Sequence, residues 1–271
     1  MMKRKLRLAM LCLSAVLPGP LKRCAYRWIF GYQIGRNVRI GFALLDCVHL
    51  SVGDHSSISH GVILLRCGHV RIGAHVSIGP CNIFRGGESI DLSDYCQLLR
   101  FNVINAIPDH DCVNAPQSMF SLGYGSVVTA EHRIDFTDRV AIGRCTTLAG
   151  RNSSIWTHNR RTGSSVLIGD FCYVGSEVRI APGVHIGDCC IVGLGAVVTR
   201  GSMEAHWLIG GVPARPVRQL TKEDYELIFV KTRPDLPDQA LQDERNPFFS
   251  PVASFGDGDL AKSEPFSRKQ A

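Results

Sequence analysis

The sequence lacks any Cys-x-x-Cys pair, although it contains 11 cysteines. The cysteines are odd in number and scattered from Cys12 to Cys190. This distribution is typical of free thiols in a reducing compartment and not of a disulfide framework or a cysteine metal site. We therefore predict that the chain forms no intrachain disulfide.

Several functional signatures are also absent. No RRM, KH or zinc-finger pattern occurs, so nucleic acid is not predicted as a partner. No Gly-x-Ser-x-Gly motif occurs, which argues against a serine hydrolase of that type. The net charge is only +6, with a pI near 8.8. This mild positive excess would suit an anionic cofactor or a membrane surface.

The sequence has no apolar run long enough to span a bilayer. The longest candidate, Leu6 to Leu17, is too short, and the Pro18-Gly19-Pro20 that follows is not a small-residue cleavage site. The next stretch, LKRCAYRWIFGY, has an amphipathic helix pattern with three cations. We predict a retained helical cap over residues 1–31. It either touches a membrane surface or caps the domain with no membrane role.

The strongest positive signal is an internal repeat of six residues. Aliphatic residues lead successive hexads at Ile168, Val174, Ile180, Ile186, Val192 and Val198. Gly or Ala follows each leading residue through Val192, and the fifth position is small or β-branched. A period of six fits neither a helix nor an alternating strand, but it fits a short strand followed by a turn. Three such units would close one coil of a triangular prism, and stacked coils would share an apolar core.

Earlier segments obey the same rule from Ile34 onwards, whereas residues 84–140 read as irregular. After the repeats, TKEDYELI predicts a short helix capped by Thr221. The remainder, after Thr232, is rich in Pro, Asp, Ser and Gln. That composition predicts a disordered or loosely docked tail.

The motif [Ile/Leu/Val]-Gly-x-x-[small]-x resembles the hexapeptide repeat of the left-handed parallel β-helix, over about residues 32–220. The expected fold class is therefore all-β. A helical cap over 1–31 would precede the β-helix, and a short helix and tail over 221–271 would follow it. Proteins of this family are mostly acyltransferases that use acetyl-CoA or another acyl-CoA. They are normally homotrimers that bind CoA in the groove between neighbouring copies.

The six-residue repeat is interrupted between Leu148 and Ile168. The hexads led by Ile142 and Leu148 predict further starts at positions 154, 160 and 166, but the chain restarts at Ile168. Residues 156–166 should therefore contain an insertion that leaves the prism, and this segment carries Trp156 and His158. Loops on a rigid scaffold are where function concentrates, and an imidazole exchanges protons near neutral pH.

This region resembles polysaccharide-type O-acetyltransferases, including the maltose, galactoside and xenobiotic acetyltransferases. The resemblance implies that His158 is the general base. It implies that Ser176 lines the acyl site and that Tyr173 lies beside it. We take Trp156, next to His158, and His132, in the irregular part, as further candidates for this lining. It also implies a set of acetyl-CoA-binding residues, namely Leu194, Gly195, Thr199, Arg200, Pro213, Ala214, Arg215 and Arg218.

The resulting hypothesis is an acyl-CoA-dependent O-acetyltransferase that transfers acetyl directly to a saccharide hydroxyl. We expect it to act in surface polysaccharide assembly, in the cytoplasm or peripheral to the inner face of the membrane. Two alternatives stay open: N-acetylation of an amino sugar, and a non-catalytic trimeric scaffold. A metal-dependent hydratase is suggested only by the spacing of His55 and His60, which comes with no third ligand. We therefore predict no metal site.

Overall fold

The computed structural model describes residues 4–107, 117–159, 164–231 and 236. The chain divides into two units, residues 1–234 and 235–271, and every contact discussed below lies within the first. The sequence Asp109-His110-Asp111, which has no metal-ligand spacing and is predicted as a solvated loop, lies outside the described residues. Nearly all of the tail predicted after Thr232 also lies outside them. The boundaries predicted at 31/32 and 220/221 stay predictions.

Three short helices flank a long series of strands. The helices are α1 (Arg4–Ala15), α2 (Gly19–Phe30) and α3 (Lys222–Glu226), the last continued by a π-helix, Leu227–Lys231. The first strands are β1 (Gln33–Ile34), β2 (Arg39–Ile40), β3 (Leu44–Val52), β4 (Ser57–Ile58), β5 (Ile63–Ile72), β6 (Ser77–Ile78), β7 (Ile83–Arg85) and β8 (Ser89–Leu92). The middle strands are β9 (Gln97–Arg100), β10 (Val103–Asn105), β11 (Met119–Leu122), β12 (Val127–Ala130), β13 (Arg133–Asp135), β14 (Val140–Ile142), β15 (Thr147–Arg151), β16 (Ser154–Ile155) and β17 (Val166–Ile168). The last strands are β18 (Tyr173–Val174), β19 (Arg179–Ile180), β20 (His185–Ile186), β21 (Ile191–Val192), β22 (Val197–Val198), β23 (Ser202–Met203), β24 (Trp207–Gly211) and β25 (Ala214–Gln219).

The strands stack in parallel into three faces of a prism, which confirms the predicted parallel β-helix. The first face contains β1, β8, β11, β14, β17, β20, β23 and the second halves of β3 and β5. The second face contains β2, β4, β6, β9, β12, β15, β18, β21 and β24. The third face contains β7, β10, β13, β16, β19, β22 and the first halves of β3 and β5. Equivalent hexad positions pair between coils, as Ile142, Ile168 and Ile186 do.

The core follows the hexad rule. The six leading residues from Ile168 to Val198 are all at most 4% exposed. The fifth positions Cys172, Val178, Val184, Cys190 and Ala196 are at most 2% exposed. Each fully buried aliphatic side chain contributes about 1.5–3 kcal/mol to the free energy of folding relative to an exposed one. This continuous apolar interior holds the coils together.

Polar fifth-position residues form a ladder inside one corner. Ser126 Oγ donates to the carbonyl of Gly143 (2.6 Å), and Thr146 Oγ1 donates to that of Gly169 (2.7 Å). The Cys172 thiol makes the equivalent contact with Gly187 (3.1 Å). Small side chains with one donor therefore suit this position, which accounts for cysteine there. All ten described cysteines are free, and Cys112 lies outside the described residues. The absence of an intrachain disulfide stays a prediction.

The stretch 84–140 is more regular than the sequence predicted. Strands β7 to β14 continue the three faces through it, and only residues 108–116 are outside the described part. Phe84, Leu98 and Leu122 are buried at leading positions and keep the coil geometry. The repeat was hidden because eight residues separate Phe84 from Leu92 and Ile134 from Ile142, and because glycine rarely follows the leading residues of this stretch.

Helices α1 and α2 cover the first coil. The Lys22 ammonium donates to the carbonyls of Ile40 (3.1 Å) and Gly41 (2.8 Å), and Arg23 Nη1 donates to Val38 (3.2 Å). Arg27 donates in the same way to Gly35 (3.3 Å). These cations satisfy carbonyl groups that have no preceding coil to pair with. Within the described segments, no helix is both long and apolar enough to cross a membrane.

Candidate active site

The predicted insertion lies between β16 and β17. Ile155, which ends β16, still pairs with Ile134 and Ile180, and the chain rejoins the prism at Val166. Residues 160–163 lie outside the described part. The returning end is fixed by Ser164, whose backbone N–H and hydroxyl both donate to the Asp138 carboxylate (3.3 and 2.9 Å). The insertion therefore starts and ends at fixed points on the coil.

Thr157 fixes the chain at the start of this insertion. Its side chain is fully buried, and its Oγ1 lies 2.9 Å from Asp135 Oδ1 and 3.0 Å from the Asp135 carbonyl oxygen. Thr157 Oγ1 also accepts a hydrogen bond from the backbone N–H of Asp138 (3.0 Å). Because Thr157 is directed inward and held on several sides, the orientation of the backbone at His158 is set.

His158 forms a pair with a buried carboxylate. His158 Nδ1 lies 3.0 Å from Asp135 Oδ2, with the two side chains 36% and 3% exposed. Asp135 Oδ1 also accepts from the backbone N–H of Thr137 (3.2 Å). An ionised carboxylate only accepts hydrogen bonds, so Nδ1 carries the hydrogen and Nε2 is the proton-accepting atom of the neutral ring.

An apolar groove opens beside this imidazole. It has a volume of about 290 Å³ and is lined by Trp156, His158, Arg179, Ile180, Ala181, Pro182 and Val197. The Trp156 and His158 rings meet edge to face, with centroids 5.7 Å apart. Among the described residues of this lining, Arg179 is the only Lys or Arg, and its Nη1 donates to the Asn152 carbonyl (2.6 Å). The groove therefore has a mostly apolar lining beside a proton-accepting group, the His158 imidazole.

The structure does not bring His132 to this groove. His132 is 0% exposed, and its Nδ1 accepts from the backbone N–H of Ser153 (3.1 Å). Its Nε2 therefore carries the hydrogen and donates to Thr129 Oγ1 (2.9 Å). Burial lowers the pKa of His132 to about 4. His132 continues an interior polar ladder from Asn102, whose Oδ1 accepts from the His132 backbone N–H (2.9 Å).

Tyr173 and Ser176 also lie away from the groove. Tyr173 is on the second face, in β18, and Ser176 is in the turn that follows this strand. Ser176 packs under Gly150, which has φ of 65°, and a Cβ there would lie 1.6 Å from Ser176 Oγ. Gly150 therefore has to be glycine. Neither Tyr173 nor Ser176 lines the groove that contains His158.

Four of the expected acetyl-CoA-binding residues flank the third face. Leu194 and Gly195 form the turn before β22, and Thr199 and Arg200 follow that strand. Leu194 is 75% exposed, and no atom lies within 4 Å of a Cβ built on Gly195. Thr199 and Arg200 lie at the same corner as His158 but two coils further along, roughly 10 Å away. Val197, between the two pairs, lines the groove.

The other four expected acetyl-CoA-binding residues lie in the antiparallel hairpin formed by β24 and β25, namely Pro213, Ala214, Arg215 and Arg218. A cis peptide bond joins Val212 to Pro213, and Ala214 is buried. The two arginines differ: Arg218 Nη1 lies 2.5 Å from Asp224 Oδ2, and this carboxylate raises the pKa of Arg218. The Arg215 side chain is exposed and donates to the Ala214 carbonyl (3.0 Å). Arg215 is therefore better placed to meet an anionic ligand.

Asp135 is a candidate site residue that sequence reasoning missed, because it contacts His158. The available signal was an acidic residue directly after a leading Ile134, where the hexad rule expects Gly or Ala. That signal did not indicate a partner, because the contact with His158 joins residues on neighbouring coils.

The histidines of the hydratase alternative do not converge. The His55 ring stacks on His75, with centroids 5.0 Å apart, whereas His60 Nδ1 accepts from the backbone N–H of Phe42 (3.1 Å). Across the described ranges, no group of three or more His, Cys, Asp or Glu side chains could hold a metal ion.

Comparison with known proteins agrees with the resemblance seen in the sequence. Residues 165–200 match the family described as "Bacterial transferase hexapeptide (six repeats)". The chain is 27% identical to galactoside O-acetyltransferase from Escherichia coli K12 over 41% of its own length and 56% of that protein. It is 38% identical to a putative lipopolysaccharide biosynthesis O-acetyl transferase of the same organism, over 22% of its length and 30% of that protein. The chain thus spans about half or less of these relatives.

Among solved structures, the chain is similar to a UDP-N-acetylglucosamine acyltransferase from Campylobacter jejuni. The sequence identity is 16% and the TM-score 0.49, over 80% of this chain and 79% of that one.

Proposed function

We propose that this protein is an acyl-CoA-dependent O-acetyltransferase that acetylates a hydroxyl group of a saccharide. The observation that carries the proposal is the pairing of His158 with the buried Asp135 at the edge of an apolar groove. A carboxylate with 3% exposure is costly to bury unless it is paired and hydrogen-bonded, as Asp135 is by His158 and Thr157. Here it orients one ring nitrogen and leaves the other facing the groove.

The chemistry requires one proton acceptor and one electrophile. A sugar hydroxyl attacks the thioester carbonyl of acetyl-CoA while His158 Nε2 removes its proton. The tetrahedral intermediate then collapses and expels the CoA thiolate, which takes the proton back from the imidazolium. The products are the acetyl ester and free CoA thiol, and no covalent acyl-enzyme is formed. Asp135 stabilises the transient imidazolium and holds its tautomer.

Backbone N–H groups next to the groove are the proposed donors to the oxyanion of the intermediate. Ser176 could supply a donor only from another copy, because its turn lies away from this chain's groove. We include the homotrimer in the proposal for this reason. Arg215, Thr199 and Arg200 are the proposed contacts for the phosphates and pantetheine arm of CoA.

The acceptor class rests on the relatives. Two of them are named as O-acetyltransferases of a galactoside and of lipopolysaccharide biosynthesis. We therefore favour a saccharide hydroxyl, and with it a role in surface polysaccharide assembly in the cytoplasm. N-acetylation of an amino sugar would use the same base and is separated from O-acetylation by the product formed.

The test measures thiol release from acetyl-CoA with a panel of neutral sugars, acidic sugars and amino sugars. An acceptor-dependent rate that disappears in His158→Ala supports the proposal. Hydroxylamine then separates the two chemistries, since it cleaves an ester product and leaves an amide intact. Thiol release that is unaffected by the substitution would contradict the assignment of the base. No release with any acceptor would favour the scaffold alternative.

A further inference from the structure

The outer surface of the N-terminal cap is unusually apolar. Helices α1 and α2, together with the residue that follows α1, expose large hydrophobic side chains that no part of the prism covers. We call these residues the cap surface: Leu6, Leu13, Val16, Leu21, Trp28 and Ile29. Trp28 is 87% exposed, the highest fraction among the exposed large hydrophobic residues.

These residues form a stripe on each helix. Leu6, Leu13 and Val16 are spaced by seven and three positions, and Leu21 and Trp28 by seven, so each set follows one helical face. The opposite faces are buried, through Leu11 on α1 and Tyr26 on α2. Because the buried faces pack on the first coil and on each other, the stripes point away from the prism.

The cap is also strongly basic. Residues 1–31 contain seven Lys and Arg and no Asp or Glu. In the described part of the cap, Arg7 is paired with a carboxylate, that of Asp46 (3.2 Å). The other inward-facing cations donate to backbone carbonyls, which satisfy their hydrogen bonds and leave their charge uncompensated. Arg4 and Lys5 are exposed at the start of α1.

We propose that the cap surface docks onto an anionic lipid bilayer, with both helices lying in the plane of the interface. Helices of 12 residues are too short to cross a bilayer but are suited to lie on it, with apolar side chains inserted and the exposed Arg4 and Lys5 near the headgroups. A second copy of this chain is a poorer occupant, because it would bring two basic surfaces together.

The experiment is co-sedimentation of the full-length protein with vesicles. Vesicles of phosphatidylcholine alone are compared with vesicles that also contain phosphatidylglycerol. We expect binding to the anionic vesicles at least about tenfold stronger than to the neutral ones. We also expect it to weaken as the Debye length falls to about 3 Å at 1 M salt.

Two variants separate the apolar and the charged contributions. L13Q/W28Q should reduce binding to anionic vesicles by about tenfold or more, because it removes inserted side chains. R4Q/K5Q should reduce the preference for anionic over neutral vesicles. The matched control is Val217→Gln, which changes an exposed apolar residue on β25 at the other end of the solenoid and should leave binding unchanged. Circular dichroism of all variants should match the wild type.

Three outcomes would overturn the proposal. The first is equal binding, or no binding, to neutral and anionic vesicles. The second is wild-type vesicle binding by L13Q/W28Q. The third is a smaller oligomer for L13Q/W28Q in sedimentation velocity with vesicle binding intact, which would assign the cap surface to a second copy. None of these readouts depends on acetyl transfer.

Discussion

At the scale of single residues, the site depends on a contact between two side chains 23 positions apart. Asp135 and His158 meet because one extra stretch of chain places the imidazole under the coil that carries the carboxylate. The pair is asymmetric: the carboxylate is buried and hydrogen-bonded by Thr157 and Thr137, whereas the ring is partly exposed. This asymmetry suits a fixed orienting group and an accessible base.

Replacing His158 with Ala should lower kcat for acetyl transfer by roughly two to four orders of magnitude, as expected for a lost general base. Stability should change by no more than about 1 kcal/mol, since Asp135 keeps its Thr157 and Thr137 partners. Steady-state thiol release and thermal unfolding check both results. Turnover close to the wild-type value would exclude His158 as the base, and the buried His132 could not take its place.

Asp135→Asn should lower kcat by about two orders of magnitude or more, because the amide no longer fixes the Nδ1–H tautomer of His158. The KM for acetyl-CoA should stay within about twofold, since Asp135 does not face the groove. Asp138→Asn is the matched control. It alters a buried carboxylate at the same corner that contacts Ser164 and not His158, so it should cost stability while largely preserving kcat.

The burial of His132 should make the free energy of unfolding depend on pH. Its pKa falls from the ordinary value of 6.5 to about 4 on folding, because the ring is buried. Between these values the unfolded chain binds a proton that the folded chain does not. The free energy of unfolding is therefore unaffected by this group above pH 6.5. It decreases by up to about 3 kcal/mol as the pH falls from 6.5 towards 4.

The check is the denaturant-derived free energy of unfolding at several pH values for the wild type and His132→Asn. Asn can occupy this position, since Asn102 is the preceding rung of the same ladder. The variant should lose less stability than the wild type between pH 6.5 and 4. Identical slopes would show that His132 is not the group responsible.

At the scale of elements, the terminal hairpin separates two arginines that the sequence treats alike. Arg218 is bound by Asp224, the residue that also completes the capping box with Thr221 at the start of α3. Arg215, on the same strand, is exposed. One arginine therefore joins the hairpin to the helix, and the other is available to a ligand.

Arg215→Ala should raise the KM for acetyl-CoA by about tenfold, because a charge-assisted hydrogen bond to a phosphate is worth about 1.5–3 kcal/mol. Its kcat should change less. Arg218→Ala serves as the comparison and should leave KM within about twofold while lowering the stability of the C-terminal segment slightly. Steady-state kinetics with varied acetyl-CoA distinguish the two. The reverse pattern would assign the phosphate contact to Arg218.

At the scale of the whole molecule, the groove lies on the third face, where the proposed homotrimer would place a neighbouring copy. A neighbouring copy would cover Arg179 and Val197 and could bring a second set of side chains, including Ser176, to His158. We predict a mass of three times 29.7 kDa by light scattering at micromolar concentration. A protein that is a monomer of 29.7 kDa in solution and still has full activity would contradict a site shared between copies.

The sequence by itself determined the solenoid. Leading residues such as Ile168 and Val174 must be buried, the residues between them must turn, and this local rule repeats without reference to distant parts of the chain. It also located the insertion that carries His158, because a break in a regular period is visible in one dimension. Where Phe84 replaced an aliphatic leading residue, and where eight residues separated Phe84 from Leu92, the core positions were kept but the pattern was concealed.

The tertiary structure alone decided which polar residues serve the site. His132 and His158 are both histidines near a coil corner, yet one is directed inward as a rung of a hydrogen-bond ladder and the other faces the groove. Asp135 gained a histidine partner, and Arg218 gained a carboxylate partner, only through contacts that the repeat does not encode. The physical reason is that burial and pairing depend on the direction of each side chain and on its neighbours in adjacent coils. A six-residue period fixes the spacing of the coils but not those directions.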